Sequence, residues 1–202
     1  MVLSVGVTGN IGSGKSTVCA IFRWLGVPIY EADVAAKSLY NTHAGLRQAM
    51  VALFGDGVYT PEGVFDASFV RERVFDDAHL MERLNAVVHP IVFEDFAQWV
   101  RDREREGHAY VIKEAAILFE SGADATVDRV VGVMASPEIR LRRVMDRDGV
   151  DEAAFARRVQ AQWPQERWKD RCDFLIYNDG EASLIEQVMT THRRLLTLSG
   201  RG

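Results

Sequence analysis

The fold of this chain is decided near its amino terminus, where residues 9–16 read Gly9-Asn10-Ile11-Gly12-Ser13-Gly14-Lys15-Ser16. This stretch matches the pattern G-x-x-x-x-G-K-[ST] at every fixed position. Glycines let the backbone curl until successive N–H groups point at one anion, and a following helix presents its positive end to the same anion. Lys15 adds a full charge beside the β- and γ-phosphates, and Ser16 offers a hydroxyl to Mg²⁺. The stretch therefore predicts a loop that binds a nucleoside triphosphate.

The segments on both sides of this loop have the character that the motif requires. Residues 2–8 form a short β-branched run, which is typical of a buried strand in a parallel sheet. Residues 17–25 carry apolar side chains at helical spacing. A glycine turn that precedes Lys-Ser by chance is the alternative, and these flanks disfavour it.

Further along the chain, strand patterns alternate with helical patterns, which indicates an α/β fold with a central parallel sheet. Strands are predicted at residues 29–30, 109–112, 129–134 and 172–177. Residues 34–107 show mainly helical patterns, with one helix predicted to end before Pro90 and another to begin near Phe93. We expect a fold of three layers, α/β/α. We also expect the chain to divide into a nucleotide-binding core (1–33, 108–139 and 170–202), a helical insert (34–107) and an arginine-rich helical lid (140–169).

The composition is that of an ordinary globular protein of about one domain. The 202 residues are 48% hydrophobic and 26% charged, which excludes disorder of the whole chain. The net charge of −5 argues against nucleic acid as a partner, because nucleic-acid binding needs a basic surface. Two cysteines are too few for a disulfide framework, and we find neither a signal peptide nor an apolar run long enough to span a membrane. A cytoplasmic protein is expected.

The class of nucleotide-binding protein follows from what accompanies the loop. The guanine-binding pattern Asn-Lys-x-Asp of GTPases is absent from the sequence. A kinase of about 200 residues that acts on a small molecule fits best, and it needs a base, an insert for the acceptor and a cover that carries arginine. We therefore expect a P-loop kinase fold.

Asp33 is the candidate base, because it follows the second predicted strand at the edge of the sheet where such folds bind ligands. A cap for a helix that starts near Val34 is an equally good interpretation of its position. The arginines between residues 140 and 171 are candidates for the cover, since arginine matches the phosphoryl oxygens bidentately. For a single arginine, a solvated helix face remains the alternative.

Together these residues resemble the dephospho-CoA kinase family over nearly the whole chain. The sequence from Val7 to Thr17 is similar to the family's opening, and Glu31-Ala32-Asp33 resembles its Asp-Ala-Asp, whose second Asp is the catalytic base. Glu114-Ala115-Ala116 stands where the family has Asp-x-Pro, and Ile117-Leu118-Phe119-Glu120 resembles its Leu-Leu-Phe-Glu.

The resemblance implies transfer of the γ-phosphate of ATP to the ribose 3′-hydroxyl of dephospho-CoA, with ATP and Mg²⁺ required. It implies catalytic roles for Asp33, Lys15, Arg143 and Arg147, and a Mg²⁺ ligand at Ser16. Small molecules are then the partners, with no nucleic acid and no membrane, and the chain is a monomer or a small homo-oligomer. The residues implied in binding ATP are Gly9, Asn10, Ile11, Gly12, Ser13, Gly14, Lys15, Ser16, Thr17, Arg143, Arg147 and Asn178, and those implied in binding the acceptor are Asp33, Lys37, Arg71, Asn85, His89, Glu114 and Arg158.

Two other functions stay open at this point. Another small P-loop kinase, acting on a nucleoside, nucleotide or shikimate-like alcohol, would share the loop and differ in the insert. An ATP-gated binding protein without catalysis would keep Lys15 and Ser16 but would not need a base at Asp33.

Overall fold

A computed structural model of the chain describes residues 1–75 and 77–200. Within these residues, five strands form one sheet in the order β2-β3-β1-β4-β5, and every neighbouring pair is parallel. Parallel neighbours need crossover connections, which the flanking helices supply. The predicted α/β fold with a central parallel sheet is therefore confirmed. The strands are β1 (Leu3–Thr8), β2 (Ile29–Glu31), β3 (Tyr110–Glu114), β4 (Arg129–Met134) and β5 (Phe174–Tyr177).

The helices take up most of the remaining described chain. Short 3₁₀ turns occur at Asp56–Val58, Ala123–Thr126 and Lys169–Arg171. The α-helices are α1 (Lys15–Trp24), α2 (Ala32–Thr42), α3 (Ala44–Phe54), α4 (Ala67–Val74), α5 (Ala78–Arg105), α6 (Pro137–Asp148), α7 (Glu152–Gln160), α8 (Gln165–Trp168) and α9 (Leu184–Leu198).

The main core lies between the sheet and helices α1 and α9. Val5, Ile112 and Val131 of neighbouring strands are fully buried, and Phe22 of α1 packs against them. Burial of aliphatic and aromatic side chains of this size contributes roughly 1.5–3 kcal/mol each. The core therefore anchors both segments that flank residues 9–16.

The carboxyl ends of the parallel strands meet at one edge of the sheet, where folds of this kind bind ligands. The phosphate loop, residues 9–16, leaves β1 at this edge. Glu31 and Glu114 end β2 and β3 and are register partners, and Val7 of β1 pairs with Glu114. Asn178 follows β5 directly. Chemically useful side chains from distant parts of the sequence thus share one edge.

The prediction that a helix ends before Pro90 is wrong, because α5 runs through this proline. Leu84, Val88, Val92 and Phe96 recur every four residues and are buried along one face of the helix. Pro90 lies on the exposed side and removes one backbone hydrogen bond. Burial of the continuous apolar face outweighs this loss.

The first residues of the last predicted strand also differ. β5 begins at Phe174 rather than at Cys172, because the Cys172 N–H closes the preceding 3₁₀ turn on the carbonyl of Lys169 at 3.2 Å.

The described residues separate into two compact units. The first consists of Met1–Glu31 together with the described residues from Gln98 onward, and it contains the sheet and the phosphate loop. The second, Ala32–Ala97, is built mainly from helices. Among the helices of the described chain, none has the length and apolar character to cross a membrane.

Candidate active site

The phosphate loop joins β1 to α1 and depends on glycine at two positions in particular. Gly12 and Gly14 have φ values of 82° and 93°, in the left-handed region that favours glycine. A Cβ on Gly12 would lie 2.6 Å from the carbonyl oxygen of Arg140, and one on Gly14 would collide with the side-chain amide of Asn178. The loop therefore needs glycine both for its dihedral angles and for its close packing.

Lys15 is the first residue of α1, and its side chain folds back over the loop. Its Nζ donates a hydrogen bond to the carbonyl oxygen of Gly9 at 2.7 Å. The ammonium group thus lies beside the backbone of the loop, and its hydrogen bond is partly buried. A cation at the N-terminal end of a helix, next to the backbone of a glycine-rich loop, is an arrangement that attracts phosphate.

Ser16 and Glu114 come together beside the loop. The Ser16 hydroxyl donates to Oε1 of Glu114 at 3.1 Å. Glu31, the register partner of Glu114, forms an ion pair with Arg23 of α1. The Glu31 carboxylate, which is one methylene longer than an aspartate, therefore reaches α1. This corner of the sheet offers a hydroxyl and carboxylate oxygens, the ligand types that Mg²⁺ prefers.

Asn178 and Arg143 line the opposite side of the loop. The Asn178 Nδ2 donates to the carbonyl oxygen of Ser13 at 2.8 Å, and Arg143 Nη2 donates to Oδ1 of Asn178 at 3.3 Å. Arg143 Nη1 also lies 3.5 Å from the carbonyl oxygen of Gly12. The structure thus brings Arg143 of α6, the residue after β5 and the phosphate loop into one cluster.

Arg147 and Arg158 both pair with one carboxylate, that of Asp148. Asp148 accepts two hydrogen bonds from Arg147, at 2.7 and 3.0 Å, and one from Arg158 at 2.6 Å. Hydrogen bonds from these two guanidinium groups lower the pKa of Asp148 to about 2. Arg147 of α6 and Arg158 of α7 therefore share the carboxylate of Asp148 and connect the two helices.

The remaining candidates belong to the helical unit. Helix α2 begins at Ala32, so Asp33 lies inside its first turn, two positions beyond Glu31, which takes the place of a cap. Lys37 follows Asp33 by four residues on the same helix, and Asn85 and His89 are four residues apart on α5. Side chains at this spacing share a helix face. Arg71 is in the last turn of α4.

A further group of contacts surrounds residues 162 and 163, between α7 and α8. Gln162 accepts a hydrogen bond from the Ile11 N–H, and Asn10 donates to the carbonyl oxygen of Trp163. Glu120 accepts from the Trp163 N–H. Gln162 and Arg158 resemble part of the lid pattern of the family, but bonds between residues more than 40 positions apart leave no local pattern in a sequence.

Comparisons with known proteins identify the family. A model of the dephospho-CoA kinase family matches residues 3–183. The dephospho-CoA kinase of Chlorobaculum tepidum is 41% identical over 201 residues, covering 97% of this chain and 96% of the relative. That of Geobacillus kaustophilus is 36% identical over 198 residues, covering 98% and 96%.

Solved structures agree with the observed fold. A crystal structure from Thermus thermophilus has a TM-score of 0.83 and 30% identity, covering 96% of this chain and 98% of the other. A dephospho-CoA kinase structure from Campylobacter jejuni, at a TM-score of 0.72, 24% identity and the same coverage, shares the fold. A shikimate kinase from Bacteroides thetaiotaomicron, at a TM-score of 0.51 and 16% identity, covers 97% of each chain and confirms the P-loop kinase fold. The chain therefore belongs to the dephospho-CoA kinase family, and it is a kinase.

Proposed function

We propose that this chain transfers the γ-phosphoryl group of ATP to the ribose 3′-hydroxyl of dephospho-CoA, giving coenzyme A and ADP, through the residues described above. Its membership of the family supports the reaction. The observation that carries the residue assignment is the phosphate loop itself, with two left-handed glycines and the Lys15 ammonium folded over it. Backbone amides and a cation around one anion site match the β- and γ-phosphates of ATP.

Nucleotide recognition extends from the loop toward Asn178. The loop amides and Lys15 hold the phosphates, and Asn178 borders the base side of the nucleotide. Asn178 and Arg143 both donate to backbone carbonyl oxygens of the loop, at Ser13 and Gly12, and this contact supports a role for each in binding ATP. Arg143 also supplies positive charge where the transferring group gains negative charge.

Mg²⁺ fits the residues at the Ser16 corner. The Ser16 hydroxyl would bind the ion directly, and Glu114 would hold it through water, since both oxygens already lie 3.1 Å apart. No cluster of three or more His, Cys, Asp or Glu side chains in the described residues could hold a metal by itself, so the phosphates complete the ligand set. Mg²⁺ supplies charge neutralisation on the phosphates when it is bound.

Asp33 acts as the base for the acceptor. The 3′-oxygen forms a bond to the γ-phosphorus, the bond from that phosphorus to the β–γ bridging oxygen breaks, and the hydroxyl proton passes to the Asp33 carboxylate. The place of Asp33 directly after the carboxyl end of β2 supports this role, because folds of this type bind ligands at that edge. Its position inside the turn leaves the capping interpretation without support.

The lid arginines complete the site on closure. Arg147 and Arg158 are paired with Asp148 in this structure, and Arg147 remains largely exposed. We assign Arg147 to stabilisation of the transferring group and Arg158 to the acceptor, once the part of α6 and α7 that carries them closes and excludes water. Lys37, Arg71, Asn85 and His89 of the helical unit hold dephospho-CoA. The net charge of −5 supports small molecules rather than nucleic acid as partners. We further propose that the protein is cytoplasmic and is a monomer or a small homo-oligomer.

Acceptor-dependent release of ADP tests this function. Purified protein is incubated with Mg-ATP, with and without dephospho-CoA, and in parallel with nucleosides, nucleoside monophosphates and shikimate. We expect rapid ADP release from Mg-ATP when dephospho-CoA is the acceptor, and not with the other acceptors. Turnover with another acceptor would assign the helical unit to that acceptor, and ATP binding without any turnover would identify a binding protein.

A further inference from the structure

Gln162 and Trp163 form a strap across the phosphate loop, defined here as these two residues between α7 and α8. Gln162 Oε1 accepts from the Ile11 N–H at 2.8 Å. The Trp163 carbonyl oxygen accepts from Asn10 Nδ2, also at 2.8 Å. Asn10 is only 3% exposed, so its bond is shielded from water. Two consecutive residues of the loop are thus held by two consecutive residues of the strap.

The strap is itself fixed from the other side by the segment that follows β3. Gln162 Nε2 donates to the carbonyl oxygen of Ala116 at 2.9 Å. The Trp163 N–H donates to Oε1 of Glu120 at 2.7 Å. The Gln162 amide therefore needs its oxygen toward Ile11 and its nitrogen toward Ala116, and both requirements are met at once. This side chain connects the phosphate loop, the segment after β3 and the end of the lid.

We propose that Gln162 is a positioning residue for ATP binding, which holds the Ile11 N–H and keeps the phosphate loop in the conformation that accepts phosphate. The proposal rests on the proposed function, in which this loop binds ATP. Without the glutamine, the Ile11 N–H loses its partner and the loop populates other conformations. The apparent affinity for ATP then falls in proportion to the competent fraction.

A neighbouring glutamine distinguishes positioning of the loop from a general contribution to stability. Gln165 makes a similar pair of bonds, accepting from the Ala135 N–H at 3.2 Å and donating to the Ala135 carbonyl oxygen at 3.1 Å. Gln165 is buried, and its two bonds go to Ala135, the residue after β4, rather than to the phosphate loop. Gln160 is exposed at the end of α7 and serves as a neutral control.

The test measures ATP binding by calorimetry in wild type, Gln162→Met, Gln165→Met and Gln160→Met, in the presence of Mg²⁺. We expect Gln162→Met to bind ATP about tenfold more weakly, as loss of a partly buried hydrogen bond predicts. Its kcat at saturating ATP and its KM for dephospho-CoA stay within about twofold of wild type. Gln165→Met lowers the melting temperature and leaves ATP affinity unchanged, and Gln160→Met changes neither.

Gln162→Glu provides a second test that does not depend on the fold of the methionine variant. A protonated glutamic acid can accept from Ile11 and donate to Ala116 as glutamine does, whereas the ionised form sets a negative oxygen against the Ala116 carbonyl. The charged groups beside the strap are Glu120, bonded to the Trp163 N–H, and Arg167, whose guanidinium lies 3.5 Å from the centre of the Trp163 ring. Because the introduced carboxylate is partly buried and faces the Ala116 carbonyl oxygen, its pKa lies above the usual value of about 4.3. We expect ATP affinity, relative to wild type at the same pH, to recover as pH falls from about 8 to about 5.

The outcomes separate the strap from the function on which it rests. Wild-type affinity in Gln162→Met, or a pH profile of Gln162→Glu parallel to that of wild type, would overturn the positioning role. Should Gln162→Met not fold, the pH series of Gln162→Glu decides alone. Failure of wild type itself to bind ATP would instead contradict the proposed function of the loop.

Discussion

Gly12→Ala places a methyl group at a point where the phosphate loop packs closely against the backbone of α6. Gly12 has a φ of +82°, which an L side chain rarely adopts. The new Cβ would lie 2.6 Å from the Arg140 carbonyl oxygen and 2.9 Å from its Cα. Both atoms are backbone of α6, so no side-chain rotation relieves the contact, and either the loop or the helix must move.

The magnitude follows from two separable contributions. The left-handed backbone costs an alanine roughly 1–2 kcal/mol. Overpacking against fixed atoms adds roughly 1–3 kcal/mol. Gly26→Ala is the matched control, because Gly26 has nearly the same φ of +81° and no atom within 4 Å of the new Cβ. It measures the first contribution alone.

Urea unfolding and ATP titration of both variants provide the assay. We expect Gly12→Ala to lose roughly 1–3 kcal/mol more unfolding free energy than Gly26→Ala, since the overpacking contribution is its own. We also expect it to bind ATP at least about tenfold more weakly, because movement of the loop misplaces its amides. Equal stability and equal ATP affinity in the two variants would refute the packing of the loop against α6.

Three further substitutions test individual roles. Lys15→Ala should lower turnover by about 10²–10³-fold with an unchanged melting curve, since a cation aimed at the phosphates is lost; steady-state ADP release checks this, and normal turnover would exclude the role. Asp33→Asn should lower kcat by about 10²–10⁴-fold with little change in the KM for ATP, and normal kcat would eliminate Asp33 as the base. Asp148→Asn should be less stable than wild type above pH about 4. The pKa of Asp148 is about 2 in the folded protein and about 3.9 in the unfolded chain, so its pairing stabilises the fold above pH about 4 and this stabilisation is lost as pH falls toward 2. Melting temperatures that differ equally at pH 2 and pH 7 would contradict that pairing.

Much of the fold could be predicted because its signals are local. The phosphate loop lies between a β-branched strand and an amphipathic helix, and each segment identifies the next. Ser136 before Pro137 marks the start of α6, and the structure shows the Ser136 hydroxyl accepting from the Ile139 N–H. Pro90 misled the prediction because a local helix-breaking signal opposes a buried face that only the packed unit reveals.

The contacts within the site were less accessible because they join distant residues. Asn178 bonds to Ser13 across 165 positions, and Gln162 to Ile11 across 151. Sequence patterns could select Asn178 through resemblance to a family, but they could not show which backbone atom it meets. The pairing of Arg147 and Arg158 with Asp148 depends on how α6 and α7 pack, which no spacing along one helix predicts.

The position of the new phosphate on the acceptor is the measurement that we would make first. Mass spectrometry and ³¹P NMR of the product from Mg-ATP and dephospho-CoA identify both the added group and the hydroxyl that carries it. We predict one phosphoryl group on the ribose 3′-oxygen for each ADP released, and formation of the same product about 10²–10⁴-fold more slowly with Asp33→Asn under the same conditions. An unchanged acceptor, or a phosphate on another hydroxyl, would contradict the proposed reaction.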